Sequence, residues 1–229
     1  MITITNLSFA YKEEDFVLEN INIQFQPSMV QGIVGLNGSG KTTFFNLLTG
    51  FYKADKGSIL MNGLPIKKNC IAYIDTESFF YPKLTAKEFL KVFPQTNLQY
   101  DEEGLTKLFN LPLNEFIENY STGMKKKLLI LSQIKQDKQL YIFDEPFNGL
   151  DIETNKLLIV IIEMLAHKGK TIFISSHIIE PLYNLCFHIH HLQNKHFIKS
   201  YTKQEFSVIE EEVFGNYTNE LKQHLKQIF

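Results

Sequence analysis

The chain of 229 residues predicts an α/β domain with a mostly parallel sheet core, an antiparallel β edge subdomain and an inserted α-helical subdomain. Three observations predict it. Apolar strand-like runs alternate with helical ones, the pattern of a parallel sheet covered by helices. The opening stretch differs: Ile2, Ile4 and Leu7, then Phe16, Leu18, Ile21, Ile23 and Phe25, alternate with polar residues, as in antiparallel strands with one wet face. Residues from about 79 to 136 carry helical spacing only. The expected division is one domain over 1–229. Its core sheet takes 1–78 and 137–200, its helical subdomain about 79–136 and its C-terminal helical tail about 202–229.

The elements follow in order. Residues 29–34 make a compact strand that ends at Gly35. A helix is expected over 41–49, with Gly50 placed to terminate it. Thr85 with Glu88 three later is a capping-box start for a helix through Phe93. Leu105, Leu108 and Phe109 mark a second helix, and 125–134 a third. Strands follow at 140–143 and 171–175. Between them lies a helix over 153–167, stopped near Gly169. Phe206, Ile209 and Val213, then Leu221, Leu225 and Phe229, have helical spacing and predict short helices packed on the body.

Composition bounds the function classes. Hydrophobic residues make up 44% and charged residues 21%, as in ordinary globular proteins. The net charge of −2 provides no basic field to hold nucleic acid or an anionic membrane by charge alone. Cys70 and Cys186 match no metal spacing and read as reduced, partly buried thiols of a cytosolic protein. The first residues lack a basic run followed by an apolar stretch, so no secretion signal is read there. No segment reaches the ~20 apolar residues that cross a bilayer. The richest run, 157–165, is broken by Glu163 and reads as a buried helix. Work at a membrane would need another chain to supply the membrane part.

The strongest chemical signal is Gly35-Leu36-Asn37-Gly38-Ser39-Gly40-Lys41-Thr42, followed by Thr43. It matches G-x-x-x-x-G-K-[ST] and lies between a strand and a helix, as a P-loop NTPase requires. Glycines let successive backbone N–H groups converge on one anion, and the helix start adds partial positive charge. Lys41 offers an ammonium to the outer phosphates. Thr42 offers a hydroxyl to Mg²⁺, a hard ion that prefers oxygen. Downstream, the apolar run 140–143 leads into Asp144 and Glu145. Asp144 suits the Mg²⁺ shell, and Glu145 suits polarising a water that attacks the γ-phosphate.

Tyr120-Ser121-Thr122-Gly123-Met124-Lys125 resembles the signature motif of ABC (ATP-binding cassette) ATPases, and precedes the Asp-Glu strand as it does there. Further residues continue the likeness over roughly 1–199. Tyr11 stands where an aromatic stacks on adenine. Asn148-Gly149-Leu150-Asp151 looks like the loop that crosses to the partner. Ser175-Ser176-His177 looks like the switch region, with His177 reaching the γ-phosphate. Residues 186–198 resemble the strand–turn–strand late in family members, with Gln193-Asn194-Lys195 as the turn.

The resemblance implies ATP and Mg²⁺ as cofactors and a head-to-tail pair of cassettes around two ATPs. Ser121 and Gly123 would serve the ATP held by the other cassette's cradle, in a homodimer or heterodimer. It also implies a separate integral membrane permease subunit, which the cassette would power as an ATPase. The protein would then be cytoplasmic, peripheral at the inner face of the cell membrane through that permease. Tyr-Ser-x-Gly-Met-Lys is similar to exporter-type cassettes. The alternative is a soluble regulatory ABC ATPase acting on ribosomes or DNA. The absence of a second cassette, of long coiled coils and of basic charge argues against it, so no nucleic acid partner is expected.

Two departures from the family pattern stand out. Thr76, followed by Glu77, occupies the position where Gln or Glu usually touches the metal or its water. Thr122 stands where Gly is commonest. Other features are assigned plainer roles. His188, His190, His191 and His196 read as strand or surface histidines in preference to a metal cluster, and 125–127 as a solvated lysine face in preference to a phosphate contact. Residues 210–212 read as a solvated acidic run. Phe79, Phe80 and Tyr81 lie where the family docks its membrane subunit, with core packing of the helical block the competing role.

Overall fold

The structure is a computed structural model that describes residues 1–13, 15–76, 79–215 and 225. Glu77, Leu221 and Phe229 lie outside the described residues. Two sheets organise the chain. The first is antiparallel, in the order β2-β1-β4-β5, from β1 (Ile2–Ala10), β2 (Phe16–Phe25), β4 (Lys56–Met61) and β5 (Leu64–Pro65). The predicted alternation holds here: Ile2, Ile4, Leu7, Leu18, Ile21 and Phe25 are all buried on one face. Sequence reasoning missed β4 and β5, so the antiparallel part is a four-stranded sheet and not a two-stranded edge.

The second sheet has the order β10-β9-β3-β8-β7-β6. It comprises β3 (Val30–Val34), β6 (Ile71–Ile74), β7 (Leu140–Phe143), β8 (Thr171–Ser176), β9 (His188–Gln193) and β10 (His196–Thr202). All pairings are parallel except that of β10 with β9. Every residue of β3, β7 and β8 is buried, the continuous apolar run of strands covered on both faces. The register puts Val34 beside Ser176, Phe143 beside Ile174 and Ile74 beside Phe143. The carboxyl ends of four strands therefore open on one edge, where α/β sheets place their ligands.

Helix α1 (Lys41–Leu48) follows β3 directly. The middle block carries α2 (Ala86–Val92), α3 (Glu102–Leu108) and α4 (Thr122–Ile134). The capping box of Thr85 and Glu88 is present as predicted, and Asp101 and Ser121 cap the next two helices. Helix α5 (Ile152–His167) buries Leu158, Ile161, Ile162 and Leu165 but leaves Val160 and Met164 exposed. The run read as a buried helix is therefore amphipathic. A short α6 (Glu180–Leu185) precedes β9. After a 3₁₀ turn over Lys203–Val208, residues 209–215 are helical, and Phe206, Ile209 and Val213 are buried in the main core as the stripe predicts. Glu212 is not a bare solvated acid: Lys199 Nζ donates to it at 2.9 Å and Tyr201 Oη at 2.6 Å. Cys70 and Cys186 are free thiols, the second fully buried. Among the described residues no helix is long and apolar enough to cross a membrane.

Strand β9 packs between β3 and β10, so His190 and His191 are buried. The His190 ring bonds Ser200 Oγ at 2.7 Å and Gln31 Oε1 at 3.0 Å, and stacks on His188 as alternate positions on one strand face should. Burial, with a smaller push from His188, pulls its pKa down from the usual 6.5 to about 3. An unfolded chain therefore takes up this proton first. The contribution is complete above pH 6.5 and shrinks as pH falls toward 3, by up to about 1.4 kcal/mol per pH unit. Urea midpoints measured between pH 7.5 and 5 should fall for the wild type and fall less steeply for His190→Gln. Equal slopes would remove His190 as the cause.

Candidate active site

Residues 35–40 connect β3 to α1 and leave no side-chain cap on the helix. Its first amides, with the partial positive charge of the terminus, therefore face the loop. A side chain at Gly35 would collide with the Leu192 carbonyl oxygen and the Ser39 hydroxyl, and Gly40 holds φ at 102°. Lys41 is only 6% exposed, and its ammonium donates to the Gly35 carbonyl at 2.9 Å and the Leu36 carbonyl at 3.3 Å. Burial pulls its pKa down, against the opposing pull of Glu145 and Asp144. Among the described residues the buried Ser39 Oγ has no hydrogen-bond partner.

The acidic pair sits opposite. Asp144 is fully buried, and its Oδ2 accepts from Thr42 Oγ1 at 2.6 Å. Its Oδ1 accepts from Ser175 Oγ, which itself accepts from the Glu145 amide at 2.8 Å. Glu145 adopts a left-handed backbone (φ 48°), a strained state for a side chain of this kind. Its Oε2 bonds His177 Nδ1 at 2.9 Å, while its buried Oε1 lacks a hydrogen-bond partner among the described residues and lies 3.6 Å from Lys41 Nζ. One cavity of about 680 Å³ is lined by Asn37, Gly38, Gly40 and Lys41 of the loop, but not by Gly35, Leu36 or Ser39, and by Tyr11, Thr42, Thr43, Thr76, Glu145 and His177. Tyr11 is 57% exposed, bonds Thr43 Oγ1 at 2.8 Å and meets Phe9 and Tyr52 edge-on.

Residues 18–148 match the family described as ABC transporter. The chain belongs to that family. It is 30% identical over 204 residues to the ABC transporter ATP-binding protein YtrB of Bacillus subtilis (strain 168), spanning 85% of this chain and 69% of that one. It is 33% identical over 193 residues to the lantibiotic transport ATP-binding protein SrtF of Streptococcus pyogenes, spanning 81% of this chain and 83% of that one. A solved ATP-binding subunit of an ABC transporter superposes with a TM-score of 0.81 over 99% of both chains, at 26% identity. The chain is thus an ABC cassette and an ATPase of the P-loop fold.

Not every predicted site residue of the ABC cassette lines this cavity. Ser121 caps α4, accepting from the Met124 amide at 3.2 Å, and Gly123 lies in the first turn of that helix. Asp151 caps α5 through the amide and hydroxyl of Thr154, at 2.8 Å each. Thr76 lines the cavity, but its hydroxyl donates to the Asp144 backbone oxygen at 3.3 Å. Phe79 and Tyr81 are 77% and 66% exposed, whereas Phe80 packs on Phe89.

Sequence reasoning missed Asp75 and Lys126 at the cassette site, and placed Asn148 only in the loop that crosses to the partner. Asp75 lines the cavity, and the single Tyr73 hydroxyl proton is shared between its Oδ1 and the Oδ2 of Asp144, each 3.4 Å away. Its signal was legible: 71–74 is an apolar strand running into an acid, as is 140–143. Asn148 lines the cavity and reaches Glu145 Oε2 at 3.4 Å. Lys126 overturns the reading of 125–127 as a solvated face. It is 6% exposed, and its ammonium donates to the Glu145 carbonyl at 2.8 Å and the Asn148 carbonyl at 3.3 Å. Helical spacing turns it inward, away from the exposed side that a run of three lysines suggests.

Proposed function

We propose that this cassette is the ATP-hydrolysing subunit of an exporter, powering a separate membrane-spanning permease through ATP-driven closure of two cassettes. The observation that carries it is the meeting of Lys41, Thr42, Glu145 and His177 in one cavity, with Asp144 buried just behind Thr42, while Ser121 and Gly123 stand outside it. An uncapped helix start and a buried ammonium suit the phosphates of ATP. Leu36, Asn37, Gly38, Ser39 and Gly40 would wrap them, and Tyr11 would stack on adenine. Thr42 and Asp144, with Thr76 nearby, form an all-oxygen set that fits Mg²⁺, and the short Thr42–Asp144 contact marks where it would enter. Bound there, Mg²⁺ would neutralise charge on the transferring phosphoryl group. Glu145 Oε1, buried beside Lys41, is the base, and His177 orients the same carboxylate. Ser121, Gly123 and Asp151 would complete the second cassette's site.

Two supports favour transport. Relatives carry names of transport and peptide-export ATP-binding proteins. The exposed rings of Phe79 and Tyr81 border a cavity with Pro82, Ile117 and Lys125 that suits a docking segment of the permease. The whole of 1–229 would act as one cassette, cytoplasmic and held at the inner face of the membrane by its permease. Affinity purification from detergent-solubilised membranes should recover an integral membrane protein with the cassette, and Phe79→Ala with Tyr81→Ala should reduce that recovery at least several-fold. Exhaustive purification that recovers none would overturn the transport reading.

A further inference from the structure

Lys126 has no ordinary reason to be where it is. A lysine ammonium this deeply buried is costly, and burial pulls its pKa down to about 8 despite Glu145 and Asp144 nearby. It makes no ion pair with a carboxylate among the described residues; its acceptors are two backbone carbonyls. Both belong to the turn that carries Glu145. The Asn148 amide closes that turn on the Glu145 carbonyl at 3.3 Å. The left-handed backbone of Glu145 is the strained point, and Lys126 grips the carbonyl that follows it. The other end of the link is α4, one turn past the Ser121 cap. No other described side chain of α4 donates a hydrogen bond to this turn.

We propose that Lys126 is a positioning residue for ATP hydrolysis, holding the Glu145–Asn148 turn, and so the Glu145 carboxylate, in register with the N-terminus of α4. The proposal rests on the reading of Glu145 as the base. A shift of α4 then displaces the base directly, because one side chain spans the gap. A packing role alone is the competing explanation, and it makes the opposite prediction for stability. Replacing an unpaired buried ammonium with an apolar side chain of similar length removes a desolvation cost that offsets the two hydrogen bonds lost. A positioning residue instead loses turnover without losing fold or substrate affinity.

The test is steady-state ATP hydrolysis by the full chain, with thermal unfolding measured alongside. Lys126→Met should lower kcat about 10- to 100-fold, leave KM for ATP within about twofold, and melt no earlier than the wild type. Lys126→Arg or Lys126→Gln, which keep a donor, should recover part of the loss. Glu145→Gln is run in parallel. Lys126→Met at the wild-type rate, while Glu145→Gln is dead, overturns the role of Lys126 alone. Loss of kcat together with early melting, or failure of both donor variants to recover activity, overturns it as well. Glu145→Gln retaining full turnover overturns the underlying reading of the base. If Lys126→Met does not fold, the same comparison is made on Lys126→Gln, whose kcat must then lie below the wild type at unchanged KM.

Discussion

Glu145→Gln should reduce ATP turnover about 100- to 1,000-fold while leaving ATP binding intact. The argument begins with what each oxygen of this carboxylate does. Oε2 is held by His177 and Asn148, and Oε1 is buried without a hydrogen-bond partner among the described residues. The Lys41 ammonium lies 3.6 Å from Oε1, so this oxygen has a counter-charge and keeps a lone pair for the proton of an attacking water. Glutamine keeps the shape and the left-handed backbone but cannot take a proton from water. The variant should therefore hold ATP between two closed cassettes and run at doubled mass by light scattering. Unchanged hydrolysis would remove Glu145 from the chemistry. No change in mass with ATP and Mg²⁺ would count against closure of two identical chains and direct the search to a different partner cassette.

Lys41→Ala should weaken ATP binding about 10- to 100-fold and lower turnover with it. Lys41 differs from Glu145 in that binding and chemistry both depend on it. Its ammonium is nearly enclosed and bonds the Gly35 and Leu36 carbonyls, so its position is set before the phosphates arrive. It is also the cation beside Glu145 Oε1. Truncation leaves that oxygen buried without a counter-charge, so some loss of stability should accompany the loss of affinity. Lys41→Arg should not rescue either property, because a planar guanidinium needs more room than a site 6% exposed provides. Equilibrium binding of a non-hydrolysable ATP analogue separates the two effects. Wild-type affinity in Lys41→Ala would sink the assignment.

The legible part of the site is the part written in adjacent residues. The cradle, the Thr85–Glu88 capping box and the apolar run ending in Asp144 and Glu145 each depend on neighbours a few positions away. Local spacing is enough to specify their backbone. Asp75 was half legible, because its strand is short and only the pairing of Ile74 with Phe143 brings it beside Asp144. The strands β4 and β5 left a weak signal, since no residue in either is fully buried. Lys126 was misread because charge in a helix ordinarily marks its wet face.

By itself the sequence determined the glycine-rich loop of this cassette, the helix that follows it, the two acids Asp144 and Glu145, and the order in which they come. A phosphate cradle is a property of one short loop and the helix that follows it. The tertiary structure alone decided which buried groups meet across long separations. It brought Lys126 to the turn of Glu145, His177 to the Glu145 carboxylate, and His190 to Gln31. The physical reason is that these contacts depend on strand register and on which face of a helix is covered. Both are settled by the packing of the whole core, and no local pattern records them.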